Sequence, residues 1–142
     1  MGGCLLRQRS QSSRIVCELE DGVRERARVL GRDEPAALLD RLDDSLPDGY
    51  VPTLIKIDVE GAEREVLEGA TETIAQHRPL VVFEHGKGAA PHYGTQPRDL
   101  YALLCDRAGL RIFDLDGNGP FDLGELERIF GRGDRWNFVA HR

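Results

Sequence analysis

From Thr53 onward the hydrophobic positions change period several times, and each change marks an element. In "TLIKIDVEG", apolar Ile55, Ile57 and Val59 alternate with ionisable Lys56, Asp58 and Glu60, the period of two that a β-strand imposes. The strand stops at Gly61, and the period then lengthens: Val66, Leu67, Ala70 and Ile74 share one face of a helix, with Glu63 and Glu65 near its positive N-terminal end. "RPLVVFEHG" is a continuous apolar run bounded by Pro79 and Gly86, the pattern of a strand covered on both faces.

A loop rich in glycine and proline, "GKGAAPHYGTQP", follows. Next, "RDLYALLCDRAG" predicts a helix with Leu100, Leu103 and Leu104 inward and Gly109 as its stop, and "LRIFDL" predicts a third strand. A short helix near "LGELERIF" and a last strand, "RWNFVAH", end the pattern. Upstream, "DEPAALLDRLDDSLP" predicts a helix capped by Asp33, with Pro35 in its first turn and Leu38, Leu39, Leu42 and Leu46 in one stripe. Pro47 and Gly49 end it.

Strands alternating with helices of crossover length predict an α/β fold with a mostly parallel sheet and helices on both faces. Residues 33–142 form that unit, and residues 1–32 read as an N-terminal tail or irregular segment. In such sheets ligands bind outside the carboxyl ends of the strands. Here those ends are polar.

Composition narrows the classes. At 142 residues, 40% hydrophobic, the chain fits one domain with a core. A net charge of -6 disfavours non-specific binding to nucleic acid or anionic membrane, which need clustered cations. Arg7, Arg9 and Arg14 lie among serine and glutamine, as in a solvated tail. Cys4, Cys17 and Cys105 are odd in number and widely spaced, so reduced thiols in a cytoplasmic protein are expected. No apolar run approaches the ~18 residues of a membrane span. "MGGCLL" has Leu6 where a myristoylation motif needs serine or threonine.

The candidate chemistry sits at the strand ends. Lys56, Asp58 and Glu60 put three ionisable groups on one strand face, costly unless they pair or line a wet cleft. A Lys56–Asp58 pair, a solvated edge strand and an active-site edge all fit that pattern. Glu84 and His85 close the next strand, a carboxylate and an imidazole suited to acid/base work beside Asp58 and Glu60. His77, His92 and His141 are scattered, and no spacing specifies a metal. There is no Gly-x-Ser-x-Gly turn, and Cys105 lies on an apolar helix face.

One stretch has a competing reading. "DLDGNGPFDLGE" places Asp114, Asp116, Asn118, Gly119, Asp122 and Glu125 at the spacing of a helix-loop-helix calcium loop. Yet a strand, not a helix, precedes it, no second copy exists, and Pro120 and Phe121 are ill-suited to such a loop. Asp122 with Glu125 three residues on also spells a helix start, and Asp116-Gly117 and Asn118-Gly119 spell turns.

Together, "LIKIDVEGAEREVLEGATETIAQHRPLVVFEHG" resembles the FkbM family of S-adenosylmethionine-dependent methyltransferases. The resemblance rests on Ile55 to Glu63, Val66 to Ala70, and Pro79 to Glu84. It implies a Rossmann-like sheet in which "LIKIDVE" is the fourth strand and "PLVVFEH" the fifth. It also implies methyl transfer from S-adenosylmethionine to a hydroxyl of a sugar or natural product, a small-molecule or glycan acceptor. Asp58 and Glu60 would act as base or positioner, and Lys56, Glu84 and His85 as acceptor contacts. The family's upstream strand and glycine-rich donor turn have no counterpart before Asp33. The domain is therefore expected to lack its N-terminal cofactor-binding half. The edge of "LIKIDVE" is then expected either to pair with "RIVCELE", Arg14 to Glu20, or to drive self-association or binding of a partner chain. The alternatives to an enzyme are a calcium-binding module on Asp114 to Glu125 and a non-catalytic partner or remnant of a split methyltransferase.

Overall fold

The computed structural model describes residues 14–18, 41–46, 48–59, 61–88 and 94–142. Five strands make one sheet: β1 (Arg14–Glu18), β2 (Leu54–Asp58), β3 (Leu80–Glu84), β4 (Arg111–Asp114) and β5 (Asn137–His141), in the order β1-β2-β3-β5-β4. The helices are α1 (Leu42–Ser45), α2 (Glu63–Glu68), α3 (Thr71–His77), α4 (Pro97–Tyr101), which continues as a π-helix over Ala102–Arg107, and α5 (Leu123–Arg132). The fold is α/β. Among the described residues, no helix is long and apolar enough to cross a membrane.

The sheet is mixed, which corrects the expectation of a mostly parallel one. β1 and β2 pair in parallel, as do β2 and β3, but β5 runs against both its neighbours, β3 and β4. The segment after β4 is the cause. It folds back along the strand, with the Phe121 N–H on the Ile112 carbonyl at 2.8 Å. α5 then returns the chain to the edge that β4 left, where Arg135 bonds Asp114, and β5 must enter the sheet from that edge.

β1 comes from "RIVCELE". It lies along β2 in a register that sets Arg14 opposite Leu54 and Glu18 opposite Asp58, so the pairing expected for that edge is seen over Arg14–Glu18.

Alternation in sequence becomes alternation in burial. Ile55 and Ile57 of β2 are buried while Leu54, Lys56 and Asp58 are half-buried. Strand pairing extends this into two rows on one sheet face. One runs Ile55, Val81, Ala140, Ile112, and the other Ile57, Phe83, Phe138, Asp114. Phe83 and Phe138 stack at 5.6 Å between ring centroids, and Leu67, Ile74, Leu100 and Leu104 join the same core. The opposite face of β3 is more open than its apolar run predicts: Leu80 and Glu84 are exposed and Val82 half-buried.

The single helix expected after Gly61 is two helices. Asp43 of α1 accepts the N–H groups of Glu72 and Thr73 at 3.1 and 2.9 Å, capping the start of α3. The Thr71 hydroxyl turns back onto the carbonyls of Leu67 and Glu68 at 2.9 and 3.0 Å, occupying acceptors at the end of α2. The helix expected from Asp33 is described only at its end, as α1; its cap, Leu38, Leu39 and Pro47 lie outside the described residues. Leu100 and Leu104 are buried as expected, Leu103 is half-buried, and Gly109 ends the helix with φ of 69°.

Candidate functional site

β2 and β3 point the same way, so their last residues, Asp58 and Glu84, lie at one edge of the sheet. The turn that leaves β2 is fixed at both polar groups of Gly61. Its N–H donates to Glu63 Oε1 at 2.8 Å, and its carbonyl accepts the fully buried Thr95 hydroxyl at 2.6 Å. The left-handed φ of Gly61, 107°, suits glycine. The turn thus folds the Glu63 side chain back from the first residue of α2 and buries it, at 2% exposure.

The other Glu63 oxygen, Oε2, has no hydrogen-bond partner among the described residues. It lies 3.6 Å from Nδ1 of His85, the residue after β3. His85 is itself 3% exposed, and neither ring nitrogen has a partner among the described residues. Its backbone N–H donates to the Trp136 carbonyl at 2.8 Å, and its ring stacks on Phe130 at 4.8 Å and 15°. Buried polar atoms are nearly always satisfied, so a carboxylate oxygen and an imidazole left open side by side mark a site that needs something more.

Both residues line a cavity of about 430 Å³, together with Glu84, Gly86, Lys87, Gly88, Gly133 and Trp136. That volume lies within the range of ~300–1,000 Å³ typical of small-molecule sites. Trp136 is 50% exposed and offers an aromatic wall. Opposite it, Gly86 is needed for close approach, since a Cβ there would come within 3.1 Å of Trp136 Cβ. The Lys87 ammonium donates to the Gly131 carbonyl in the last turn of α5, tying the β3 loop to that helix.

The residues singled out from sequence divide. Glu84 and His85 are brought together in the cavity lining. Lys56 and Asp58 are not part of it; they pair with each other at 2.8 Å on the half-open face of β2, as one reading of the alternation proposed. Glu60 lies outside the described residues. Glu63 was read from sequence only as a helix-dipole carboxylate. Its signal was its place two residues after the glycine that ends a strand, from which a first-turn carboxylate can fold back onto the turn's N–H.

The calcium-like spacing is spent on structure. Asp114 Oδ1 accepts the N–H groups of Asp116 and Asn118 at 3.0 and 2.8 Å, and its Oδ2 accepts the Asn118 amide at 2.7 Å and the Arg135 guanidinium. Burial pushes the Asp114 carboxyl up, but the Asn118 bonds, the Arg135 charge and the Asp116 N–H outweigh it and hold the group below its usual range. Asp122 and Glu125 satisfy each other's backbone N–H at 2.8 and 3.0 Å, a capping box that starts α5. The pattern is a strand end, a turn and a helix cap.

Comparison with known proteins adds one match. A family model described as methyltransferase FkbM domain covers residues 33–112, more than half the chain. No curated protein and no solved structure matches the chain.

Proposed function

The chain belongs to the FkbM methyltransferase family, and on that premise we propose that it transfers a methyl group from S-adenosylmethionine to a hydroxyl of a sugar or another natural product. The observation that carries this reading is an overlap. The matched segment contains β2, the Gly61 turn, Glu63, β3 and His85, and within it Glu63, Glu84 and His85 form the acidic and imidazole lining of the cavity at the strand ends.

The residues present suit such a donor. Glu63 Oε2 is a buried carboxylate oxygen without a partner among the described residues, Glu84 is an exposed carboxylate on the same lining, and Asp58 ends the neighbouring strand. This anionic edge complements a sulfonium cation. Asp58 and Glu84 would hold the cationic part, with Glu60 next along the chain. Bound there, the donor supplies an electrophilic methyl group carried on sulfur.

The protein's own part is positioning and proton removal. Trp136 gives an acceptor ring an apolar wall, Glu84 can accept its hydroxyl protons, and Lys56 is held beside Asp58 at the adjoining strand end. Asp58, Glu60 and His85 are the bases proposed to take the proton from the reacting hydroxyl. Calorimetric titration with S-adenosylmethionine tests the reading: binding is expected, weaker in Asp58→Ala. A flat titration with the folded wild-type chain would refute donor use.

A further inference from the structure

We propose that Glu63 is a positioning residue that fixes His85 in the tautomer carrying its proton on Nδ1, so that Nε2 is left as a proton acceptor for a hydroxyl bound in the cavity. The role rests on the methyl-transfer reading, but the tautomer does not.

Three observations carry it. First, Glu63 cannot swing away freely. Its Oε1 is held by the Gly61 N–H at 2.8 Å, Gly61 is held in turn by Thr95 at 2.6 Å, and the side chain is 2% exposed. Its other oxygen is thereby aimed at His85. Second, His85 is held from two sides, by its backbone bond to Trp136 and by the Phe130 ring stacked on its face. The 3.6 Å between Nδ1 and Oε2 is just beyond a hydrogen bond. Catalytic hydrogen bonds are often long before ligand binds and tighten in the complex.

Third, both atoms of the contact lack another partner. Glu63 Oε2, His85 Nδ1 and His85 Nε2 are all without a hydrogen-bond partner among the described residues. An ionised carboxylate only accepts, so the sole bond Glu63 and His85 can make is from an Nδ1–H to Oε2. The tautomer of a histidine is set by the bond its other nitrogen makes. With the proton on Nδ1, the lone pair at Nε2 has nothing among the described residues to bind. Both residues line the cavity, and Nε2, buried in the free protein, is the acceptor assigned to a hydroxyl bound there. When the hydroxyl reacts, its O–H bond breaks, the electron pair stays on oxygen, and the proton is taken at Nε2. The imidazolium so formed lies beside the Glu63 carboxylate, which stabilises it.

The test reads the tautomer directly. In ¹⁵N-histidine-labelled full chain without donor or acceptor, the His85 signals are assigned by their loss in His85→Gln. Wild type is expected to show a protonated Nδ1 and an unprotonated Nε2 at high pH, the reverse of the tautomer preferred by histidine in water. Glu63→Leu, which removes the acceptor, is expected to return His85 to the Nε2–H form. A wild-type His85 already in the Nε2–H form would overturn the proposal, whether or not Glu63→Leu folds. An Nδ1–H form that persists in folded Glu63→Leu would overturn it equally. Because no donor is present, a failure here leaves methyl transfer standing. Conversely, the Nδ1–H form combined with a flat donor titration would remove the methyl-transfer reading alone.

Discussion

Glu63 Oε2 and His85 Nδ1 approach to 3.6 Å inside the protein, each at the edge of hydrogen-bonding reach and each otherwise unpartnered among the described residues. Breaking a buried ion pair kept for stability costs about 3–5 kcal/mol. An open contact between unsatisfied groups makes no such contribution. Glu63→Gln keeps the oxygen that accepts the Gly61 N–H and removes a buried acid. It is therefore expected to melt at or above the wild-type temperature. A loss of several degrees by differential scanning calorimetry would show that the pair serves stability instead.

Asp114, buried at the end of β4, is expected to do the opposite. Its oxygens gather Asn118, Asp116 and Arg135 and join the end of β4 to the start of β5. Asp114→Ala leaves those donors without an acceptor and should cost about 2–3 kcal/mol at neutral pH.

The sign with pH follows from the lowered folded pKa. The contribution is whole above the unfolded carboxylate value, ~3.9, and is lost as pH falls through the lower folded value. The melting difference between wild type and Asp114→Asn should therefore be largest near pH 6 and shrink toward pH 2. A difference that stays constant across that range would contradict this account.

The contrast between these two acids shows what the sequence could carry. Strands were legible where apolar spacing is local: Ile55 and Ile57, Val81 and Phe83, and Phe138 and Ala140 all face the core. The turn chemistry of Asp116 to Asn118 and the Asp122–Glu125 cap were legible for the same reason, since each bond closes within four residues. What sequence hid was set by distant partners. Asp43 caps the start of α3 from 29 and 30 residues away. The reversal of β5 depends on how the chain folds back at Phe121. Of the candidate site, Glu84 and His85 were found because strand ends point to ligands. Glu63 was missed because its role depends on a turn held by Thr95, 34 residues on.

Gly119 is the position where that fold-back tolerates least. Its φ is 133°, and a Cβ there would come within 2.9 Å of the Ile112 carbonyl and 3.0 Å of the Phe113 ring. The Ile112 carbonyl also accepts the Phe121 N–H, so it cannot move aside without loss. Gly119→Ala is expected to cost about 2–4 kcal/mol. Gly131, in α5, has open space where a Cβ would stand, so Gly131→Ala should gain up to ~1 kcal/mol from helix propensity. Urea titrations showing equal midpoints for the two variants would contradict the assignment.

Cys105 gives a chemical readout of the same packing. The side chain lies against the core behind the π-helical turn, and burial, helped by the neighbouring Asp106 charge, pushes its thiol up to about 11. Only the thiolate reacts with alkylating reagents. An ordinary cysteine ionises near ~8.5, so at pH 7.5 Cys105 should hold less thiolate by a factor of about 100 or more. In a chain carrying Cys4→Ser and Cys17→Ser, iodoacetamide should label Cys105 that much more slowly than free cysteine. The rate should rise steeply with pH until the fold or the reagent fails. Unfolding in urea should bring the rate at pH 7.5 close to the ordinary one, because the main cause is burial. Rapid labelling of the folded chain at neutral pH would mean that this turn opens far more readily than its packing implies.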